Sequence, residues 1–434
     1  MHADYFAEKK YVWDYLLGEL NGIPITYEKA EDHSGYTLSF AGGKAWFADD
    51  FFNRNGEPDE LYTRKNLPQN PVRIKNAWSK EGELITLYGQ PEISSDSGVF
   101  ICRADVVASA FFMLTRWEEN AEPARDSIGR FPFAASINCR FDLQYRPLVN
   151  EYAAFFVNVL KSLGYTPPPS SRPVRFVPSH DIDYLTLWPT WYHRLRTMAG
   201  DVLVRRDFTF TKWMWTEFDK LTRNPYHTIG RLLTAAEQRQ AKATFYIRSD
   251  EEDYSPASPL LLDWINQIHQ RGHRLGFHPG IKAARDSSVF GREWKKLQSI
   301  LPSEPTSGRT HYLNFSVPET WSYWHDACIE EDSSMAYSEE PGFRCSCCTA
   351  FPVFDYRQRS TVPVREVPLL WMDRHLTKKN LTTETAINLV ESLWDMTCKY
   401  QGDYVFLWHN SSFHLPEWKP FEPVFDAVYS LKST

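Results

Sequence analysis

The fold of this chain is decided at residues 174–183, which read VRFVPSHDID. Val174 to Val177 predicts a short apolar strand, and Asp181 and Asp183 follow its carboxyl end. Residues two apart in an extended chain point to the same face, so both carboxylates can enter one cavity. Parallel α/β folds collect their catalytic groups at the carboxyl ends of strands, so the stretch predicts a functional site as well as a strand.

Strand and helix patterns alternate on the C-terminal side of this stretch. Short apolar runs predict further strands at 243–247, 274–277, 309–313, 335–337, 365–370 and 404–408. Apolar residues at helical spacing follow Ser258, a candidate N-cap, and recur at 318–328 and 382–399. About seven strands separated by helices predict a parallel barrel or a doubly wound sheet.

The N-terminal part of the chain has a different pattern. Strand-like and helical runs are mixed there, at 24–40, 83–88, 104–119 and 152–163, which predicts a smaller α+β domain. The sequence TPPPSSRP at 166–173 reads as a stiff linker, because proline neither continues a helix nor joins a central strand. A chain of 434 residues is also long for one core. We therefore expect an N-terminal domain at 1–165, the linker at 166–173 and a second domain at 174–434.

Composition excludes several classes of function. The net charge of −7 and pI near 6.0 give no electrostatic footprint for nucleic acid. Apolar runs fall short of the ~20 residues that a membrane helix needs, so we expect no transmembrane segment. The N-terminus lacks a secretion-signal pattern, and seven cysteines, an odd number, favour a reducing cytoplasm. Cys345, Cys347 and Cys348 lack a second ligand pair at zinc spacing, so we interpret them as packed thiols.

Polar residues follow several of the predicted strands. They are Asp181 and Asp183 after the first strand, His278 after the third, Arg309 and His311 at the fourth, Asp373 and His375 after the sixth, and His409 after the last. Because the carboxyl ends of parallel strands meet at one edge of the fold, we expect these side chains to surround one cavity.

The two aspartates indicate a metal, although not on their own. Two carboxylates held close together stay ionised only with a cation beside them. With a divalent metal, one carboxylate ligates the ion while the other takes a proton from the attacking water. Asp-x-Asp also occurs in solvated loops and in glycosyltransferases that hold a nucleotide-sugar diphosphate through a metal. His278 and His409, each ending an apolar strand, favour the metal hydrolase.

Four segments of the C-terminal part resemble the motifs of the polysaccharide deacetylase superfamily, carbohydrate esterase family 4. They are SHDIDY at 179–184, KATFYIRS at 242–249, GHRLGFHPG at 272–280 and FLWHN at 406–410. The resemblance implies a distorted (β/α)7 barrel and a divalent metal, zinc first, with cobalt, nickel or manganese as alternatives. It further implies that Asp181 is the general base, that Asp183 and His278 hold the metal, that Leu407 lines the acetyl pocket and that His409 is the general acid.

Further segments resemble a branch of this superfamily that carries an extra N-terminal domain and is associated with bacterial surface-polysaccharide biosynthesis. They include FFMLTRWEEN at 111–120, DSIGRF at 126–131, RPLVNEY at 146–152 and VPLLWMDRHL at 367–376. The resemblance thus covers nearly the whole chain after the first few dozen residues.

One departure from the family pattern bears on the metal. The family has a second histidine four residues after the first, and here that position is Lys282, which offers no lone pair while protonated. We expect His311, or alternatively His180, to supply the third ligand. Arg309 or Arg344 is a candidate to orient the base or to bind an anionic group of the substrate. Asp373 or Asp332 is a candidate to hold His409 in its charged form.

The sequence therefore predicts hydrolysis of an N-acetyl, or related acyl, group on a sugar of a bacterial surface polysaccharide or its precursor. The alternatives are a deacetylase-like carbohydrate-binding protein that has lost the metal, as Lys282 suggests, and an Asp-x-Asp glycosyltransferase. The aromatic and basic segment 185–225 is a candidate roof for the site, or a contact with a lipid-linked substrate at a membrane surface. The sequence does not specify the sugar or the oligomeric state.

Overall fold

The structure is a computed structural model of the 434-residue chain. It describes residues 5–29, 34–54, 58–169, 172–188, 190–201, 203, 208–218 and 224–432.

The N-terminal part combines a mostly antiparallel sheet with helices. Its strands are β1 (Gly35–Phe40), β2 (Gly43–Ala48), β3 (Val72–Lys75), β4 (Glu83–Thr86), β5 (Gly89–Asp96) and β6 (Val99–Ala104). Its helices are α1 (Phe6–Trp13), α2 (Pro58–Leu61), α3 (Val106–Thr115), α4 (Glu118–Ala121), α5 (Ile137–Phe141) and α6 (Leu148–Ser162). Strands pair in the order β1-β2-β6-β5, with only β2 and β6 parallel, and β3 and β4 form a separate antiparallel pair.

The C-terminal part alternates strands and helices. Its strands are β7 (Arg175–Ile182), β8 (Thr244–Ile247), β9 (Arg274–Phe277), β10 (Ser307–Gly308), β11 (Glu331–Asp332), β12 (Phe351–Asp355), β13 (Ser360–Glu366), β14 (Trp371–Met372) and β15 (Asp403–Leu407). Its helices are α7 (Trp191–Gly200), α8 (Thr209–Thr216), α9 (Ile229–Gln238), α10 (Pro259–Gln270), α11 (Ser287–Gln298), α12 (Glu319–Asp326), α13 (Asp373–Lys378), α14 (Thr383–Lys399) and α15 (Glu422–Ser430). The predicted mixed α/β architecture is confirmed.

These nine strands form one sheet, in the order β12-β13-β11-β10-β9-β8-β7-β15-β14. All neighbours are parallel except β12 and β13. Only residues 367–370 join β13 to β14, although these strands lie near opposite ends of the order. A flat sheet would hold them roughly 34 Å apart, about twice what the connection spans, so the sheet must curl. Among the described residues no strand pairing joins β12 to β14, and a closed seven-stranded barrel is not confirmed.

Several predicted strands differ from those observed. The first strand runs five residues past Val177 and ends at Ile182, because it pairs with β15 on one side and with β8 on the other. The strand predicted at 309–313 is not observed. The strand β10 ends just before it, at Gly308, and residues 311–313 form a 3-10 turn in which Tyr312 has a φ of 59°. Residues 335–337 are not a strand, and β12 and β14 are strands that the sequence did not predict.

The two parts of the chain share a continuous apolar core. Tyr11 donates its hydroxyl proton to the Pro352 carbonyl oxygen at 2.8 Å, and the Tyr15 hydroxyl lies 2.6 Å from Thr349 Oγ1. The three clustered thiols, Cys345, Cys347 and Cys348, are free and buried beside this contact. Ser170 and Ser171, at the centre of the predicted linker, lie outside the described residues. The boundary at 166–173 stays a prediction.

The segment 185–225 carries many of the exposed apolar side chains. They are Trp191, Tyr192, Leu195, Leu203, Phe208 and Trp215. Residues 189, 202, 204–207 and 219–223 of this segment lie outside the described part of the chain. Over the described ranges, no helix combines the length and the apolar character that crossing a membrane requires.

Candidate metal centre and active-site cavity

The carboxyl ends of four strands bring the predicted site residues together. Asp181 is the penultimate residue of β7 and Asp183 follows its end, while His278 comes directly after β9. His311 begins the 3-10 turn that follows β10, and His409 follows β15. Parallel pairing places all these strand ends at one edge of the curled sheet, so residues up to 228 positions apart in the chain become neighbours.

Asp183, His278 and His311 form a compact group that could hold a metal ion. One donor atom from each lies within 4.8 Å of the others. The Nε2 atoms of His278 and His311 both lie 3.4 Å from Asp183 Oδ1, which is long for a hydrogen bond. Among the described residues, Asp183 Oδ1 and His278 Nε2 have no hydrogen-bond partner although both atoms are buried. Buried polar atoms without partners at one point indicate room for a ligand between them.

Two further observations fit a divalent metal at this point. His278 Nδ1 lies 2.6 Å from the Arg309 carbonyl oxygen, which accepts its proton and leaves the Nε2 lone pair directed at Asp183. Burial lowers the pKa of His311, against the opposing effect of Asp183, and so favours the neutral imidazole that metals bind. Two imidazoles and one carboxylate are a donor set typical of zinc.

Asp181 lies next to this group and is oriented by Arg309. Arg309 Nη1 donates to Asp181 Oδ1 at 3.0 Å, and the same guanidinium donates to Ser179 Oγ and to the Ser333 carbonyl and hydroxyl oxygens. Arg309 is fully buried. The other oxygen, Asp181 Oδ2, lies 3.6 Å from His278 Nε2. One face of the carboxylate is therefore fixed while the other meets the cavity.

His409 lies on the other side of Asp183 and is held by Asp373. Its Nδ1 lies 2.8 Å from Asp373 Oδ1, and its backbone N–H donates to Asp373 Oδ2 at 2.7 Å. Its Nε2 lies 3.5 Å from Asp183 Oδ2. Burial lowers the pKa of His409, but Asp373 and then Asp183 raise it further, to about 9. The imidazole is thus protonated at neutral pH, with its Nε2 proton directed towards the cavity.

A cavity of 340 Å³ opens onto these groups. The predicted residues on its wall are Asp181, Asp183, His311, Leu407 and His409. The sequence interpretation missed its remaining residues, which are Arg130, Tyr184, Tyr312, Leu313, Ser338, Met372, Arg374 and Lys378. Arg374 could have been predicted, because it directly follows the predicted site residue Asp373 in the chain. Arg130 comes from the N-terminal part, within the quoted segment DSIGRF, and nothing in that segment links it to the end of β7.

Lys282 does not take the place of a metal ligand. It lines a separate surface groove of 620 Å³ together with Ser249, Arg292 and Lys296. This groove is larger than the cavity, but the aspartates and histidines of the site do not line it. The donor group around Asp183 is completed by His311, and Lys282 is not part of it.

Three candidates from the sequence lie elsewhere. Arg344 does not line the cavity, because its guanidinium is buried against Glu119 and the Ala336 carbonyl oxygen. His180 Nδ1 bonds to the Trp408 carbonyl oxygen at 2.7 Å, so this ring turns away from Asp183. Asp332 accepts from the Ser334 hydroxyl and backbone N–H rather than from His409.

Comparisons with known proteins find similarity over parts of the chain. Residues 1–165 match the model of a family described as a family of unknown function, DUF7033. A search of curated proteins finds no match. Among solved structures, the chain is similar to a protein described as a putative polysaccharide deacetylase from Mycobacterium smegmatis, with 14% identity and a TM-score of 0.40 over 61% of this chain and 85% of that one.

Proposed function

We propose that this protein is a metal-dependent hydrolase that removes an N-acetyl, or related acyl, group from a sugar of a bacterial surface polysaccharide or its precursor. The observation that carries this proposal is a three-residue donor set flanked by two proton-transfer groups. Asp181 Oδ2 lies 3.6 Å from His278 Nε2, and His409 Nε2 lies 3.5 Å from Asp183 Oδ2. A base and an acid around one electrophilic centre are what hydrolysis of an amide requires.

Asp183, His278 and His311 are the residues that would hold the metal. When bound, a zinc-like ion polarises the acyl carbonyl and lowers the pKa of water towards ~7. The protein contributes the geometry: the bond from His278 Nδ1 to the Arg309 carbonyl oxygen at 2.6 Å fixes one imidazole ring. Such outer contacts set the orientation and tautomer of a ligating histidine.

Asp181 is the proposed general base. Arg309 fixes its Oδ1 at 3.0 Å, so Oδ2 is directed at the position of the attacking water. Asp181 takes one proton from that water, and the remaining hydroxide oxygen forms a bond to the acyl carbon. An oriented carboxylate of this kind accelerates a proton-transfer step by about 10²–10⁴-fold.

His409 is the proposed general acid. Its Nδ1 is held by Asp373 at 2.8 Å, so the proton on Nε2 faces the cavity. As the carbon–nitrogen bond breaks, His409 protonates the leaving nitrogen, which gives a free amine and a carboxylate such as acetate. Asp373 acts through His409 as a positioning residue.

The cavity wall fits an acylated sugar. Leu407, Met372 and Leu313 supply apolar surface for the methyl group of an acyl chain. Tyr184 and Ser338 supply polar groups on the same wall, where sugar hydroxyls need partners. A small apolar pocket beside a few convergent polar groups favours a compact substrate unit over an extended peptide.

The decisive experiment measures metal content and acetate release together. Purified protein is assayed with zinc or cobalt on N-acetylated sugar phosphates, nucleotide sugars and neutral N-acetyl glycosides. We expect about one metal ion per chain and acetate release from at least one probe, with Asp183→Asn and His278→Ala losing both. His269→Ala is the matched control, because His269 is an exposed residue at the end of α10.

Other results would support other functions. Metal content well below one per chain with glycan binding unchanged in Asp183→Ala would favour a carbohydrate-binding protein without catalysis. Manganese-dependent binding of a nucleotide sugar with no acetate release would favour a glycosyltransferase. Either result would overturn the proposed hydrolase.

A further inference from the structure

Three basic side chains lie at the cavity wall outside the proposed catalytic group: Arg130, Arg374 and Lys378. Arg374 and Lys378 are four residues apart on α13, so they share a face of that helix. Arg130 reaches the same wall from the loop between α4 and α5 in the N-terminal part. Burial, followed by the positive charge of Arg130, lowers the pKa of Lys378, which is consistent with cations held close together. We call these three residues the basic rim.

The basic rim is incompletely neutralised by the protein. Within the described residues, neither Arg374 nor Lys378 forms an ion pair with a carboxylate. Lys378 Nζ donates to the Ser338 carbonyl oxygen at 2.7 Å, a neutral acceptor. Arg130 Nε pairs with Asp126 at 2.8 Å, and its Nη1 donates to the Tyr312 carbonyl oxygen at 2.7 Å. Arg130 Nη2 has no acceptor in the described part of the chain.

Both guanidinium groups of the basic rim are already held in place. The Arg374 guanidinium lies over the Trp418 ring at 5.0 Å, and the Arg130 guanidinium is fixed by its two bonds to Asp126 and Tyr312. A positioned guanidinium loses little conformational entropy when it binds an oxyanion, and its planar donors match a phosphoryl or carboxylate group. An ammonium such as Lys378 adds a third donor at the same wall.

We propose that the basic rim binds an oxyanion carried by the substrate, a phosphoryl or carboxylate group on the acylated sugar. This inference rests on the proposed function for the acyl group but concerns a different part of the substrate. It also gives the N-terminal part a role in specificity, because Arg130 is its contribution to the cavity wall. The acidic groups near the rim are Asp126, which pairs with Arg130, Glu339, which acts on Lys378 at longer range, and Asp181 and Asp183, which line the same cavity.

Equilibrium binding tests this inference without relying on catalysis. The full-length protein is titrated calorimetrically with N-acetylglucosamine 1-phosphate, an N-acetylated hexosaminuronic acid and methyl N-acetylglucosaminide. EDTA is present so that no oxyanion ligates a metal. We expect at least one anionic probe to bind about tenfold or more tightly than the neutral glycoside, since a charge-assisted contact contributes at least that factor. The phosphate and uronate arms distinguish the two oxyanions.

The variants Arg374→Ala and Lys378→Ala should each weaken binding of the preferred anion by about tenfold and affect the neutral glycoside much less. Arg292→Ala is the matched control, because Arg292 is an exposed arginine that lines the separate groove. Equal binding of the three probes, or equal losses in Arg374→Ala and Arg292→Ala, would overturn the inference. Selective anion binding in this titration, together with no acetate release in the separate assay with zinc or cobalt, would sink the proposed hydrolase and leave the basic rim intact.

Discussion

Two groups of buried charges in this molecule have opposite arrangements. The junction cluster, Arg116, Glu118, Glu119 and Arg344, lies between the two parts of the chain. Its ion pairs measure 2.6–3.0 Å, and two arginines balance two glutamates. The site group, Asp183, His278 and His311, has contacts of 3.4 Å and buried atoms without partners. The junction cluster is fully buried, whereas Asp183 is 14% exposed and lines the active-site cavity together with His311.

The difference separates a structural role from a functional one. Every charge in the junction cluster has a partner within the protein, so nothing remains for a ligand to satisfy. In the site group, unpartnered atoms cost stability unless a ligand supplies what is missing. Arg344 illustrates this contrast between a structural and a functional charge. The sequence made Arg344 a candidate to bind the substrate, but in the structure its Nε and Nη2 atoms both donate to Glu119.

Asp181→Asn should produce the largest effect, a fall in kcat of about 10²–10⁴-fold, because the amide cannot accept the proton. Its folding should be preserved, since Asn keeps the shape of the side chain. Steady-state kinetics together with circular dichroism check both points. Asp263→Asn, on the exposed face of α10, is the matched control. Equal activity of the two variants would remove Asp181 from the mechanism.

Arg344→Ala should destabilise the protein by about 3–5 kcal/mol, because two buried carboxylates, Glu118 and Glu119, are then left with one arginine, Arg116, and one negative charge is uncompensated. Urea unfolding followed by tryptophan fluorescence measures the change. The control is Arg365→Ala, which removes a half-exposed ion pair with Glu19 and should cost at most ~1 kcal/mol. A similar small loss in both variants would mean that the junction cluster does not hold the two parts together.

Zinc should stabilise the wild-type protein by about 2.7 kcal/mol at a hundredfold excess over its dissociation constant. His311→Ala should lose most of this increment, whereas Arg344→Ala should keep it, because the junction cluster has no open donor. Thermal unfolding with and without EDTA gives the values. An unchanged zinc increment in His311→Ala would show that another residue, such as Asp181, is the third ligand.

The sequence predicted the elements with long, regular patterns. Apolar runs placed β9 and β15 within a residue of their observed ends, and helical spacing did the same for α14. Strands β10, β11 and β14 have two residues each, too short for any periodic signal. The residues of these short strands pair because the surrounding sheet curls, which is a property of the whole fold rather than of their own sequence.

Candidate site residues divide in the same way. Asp183, His278 and His409 could be expected near one another because each follows an apolar strand and parallel strands end together. The pairing of Arg344 with Glu119 spans 225 positions and follows no strand-end rule, so the sequence could not separate it from a substrate contact. Arg130 was missed for the same reason, since its loop reaches the cavity only through packing of the N-terminal part.

The smallest expected effect is a pH dependence confined to the junction cluster. Burial raises the pKa of Glu119, but Arg344 and Arg116 outweigh it and lower that pKa overall. A lowered acid pKa gives stability that is present above the unfolded value, near 4.5, and is lost as pH falls through the folded value. Without Arg344, burial is opposed by Arg116 alone, which also pairs with Glu118, so the pKa of Glu119 should be higher in Arg344→Ala than in the wild type.

The stability difference between wild type and Arg344→Ala should therefore narrow as pH falls from the Glu119 pKa of the variant to the lower Glu119 pKa of the wild type, by about 1.4 kcal/mol for each pKa unit that Arg344 contributes. Burial raises the pKa of Glu118, so Glu118 has the opposite effect on the pH dependence of stability, and it does so in both proteins. Arg344 pairs with Glu119 and not with Glu118. The stability difference between the two proteins therefore reports on Glu119. Urea unfolding of both proteins between about pH 3.5 and 7 measures this difference in unfolding free energy. The range extends roughly one pH unit below the ordinary pKa of glutamate and further above it. If the difference in unfolding free energy stays constant across this range, Arg344 stabilises the junction through packing alone. The junction cluster and the site group would then differ in their contact distances and not in how their charges are paired.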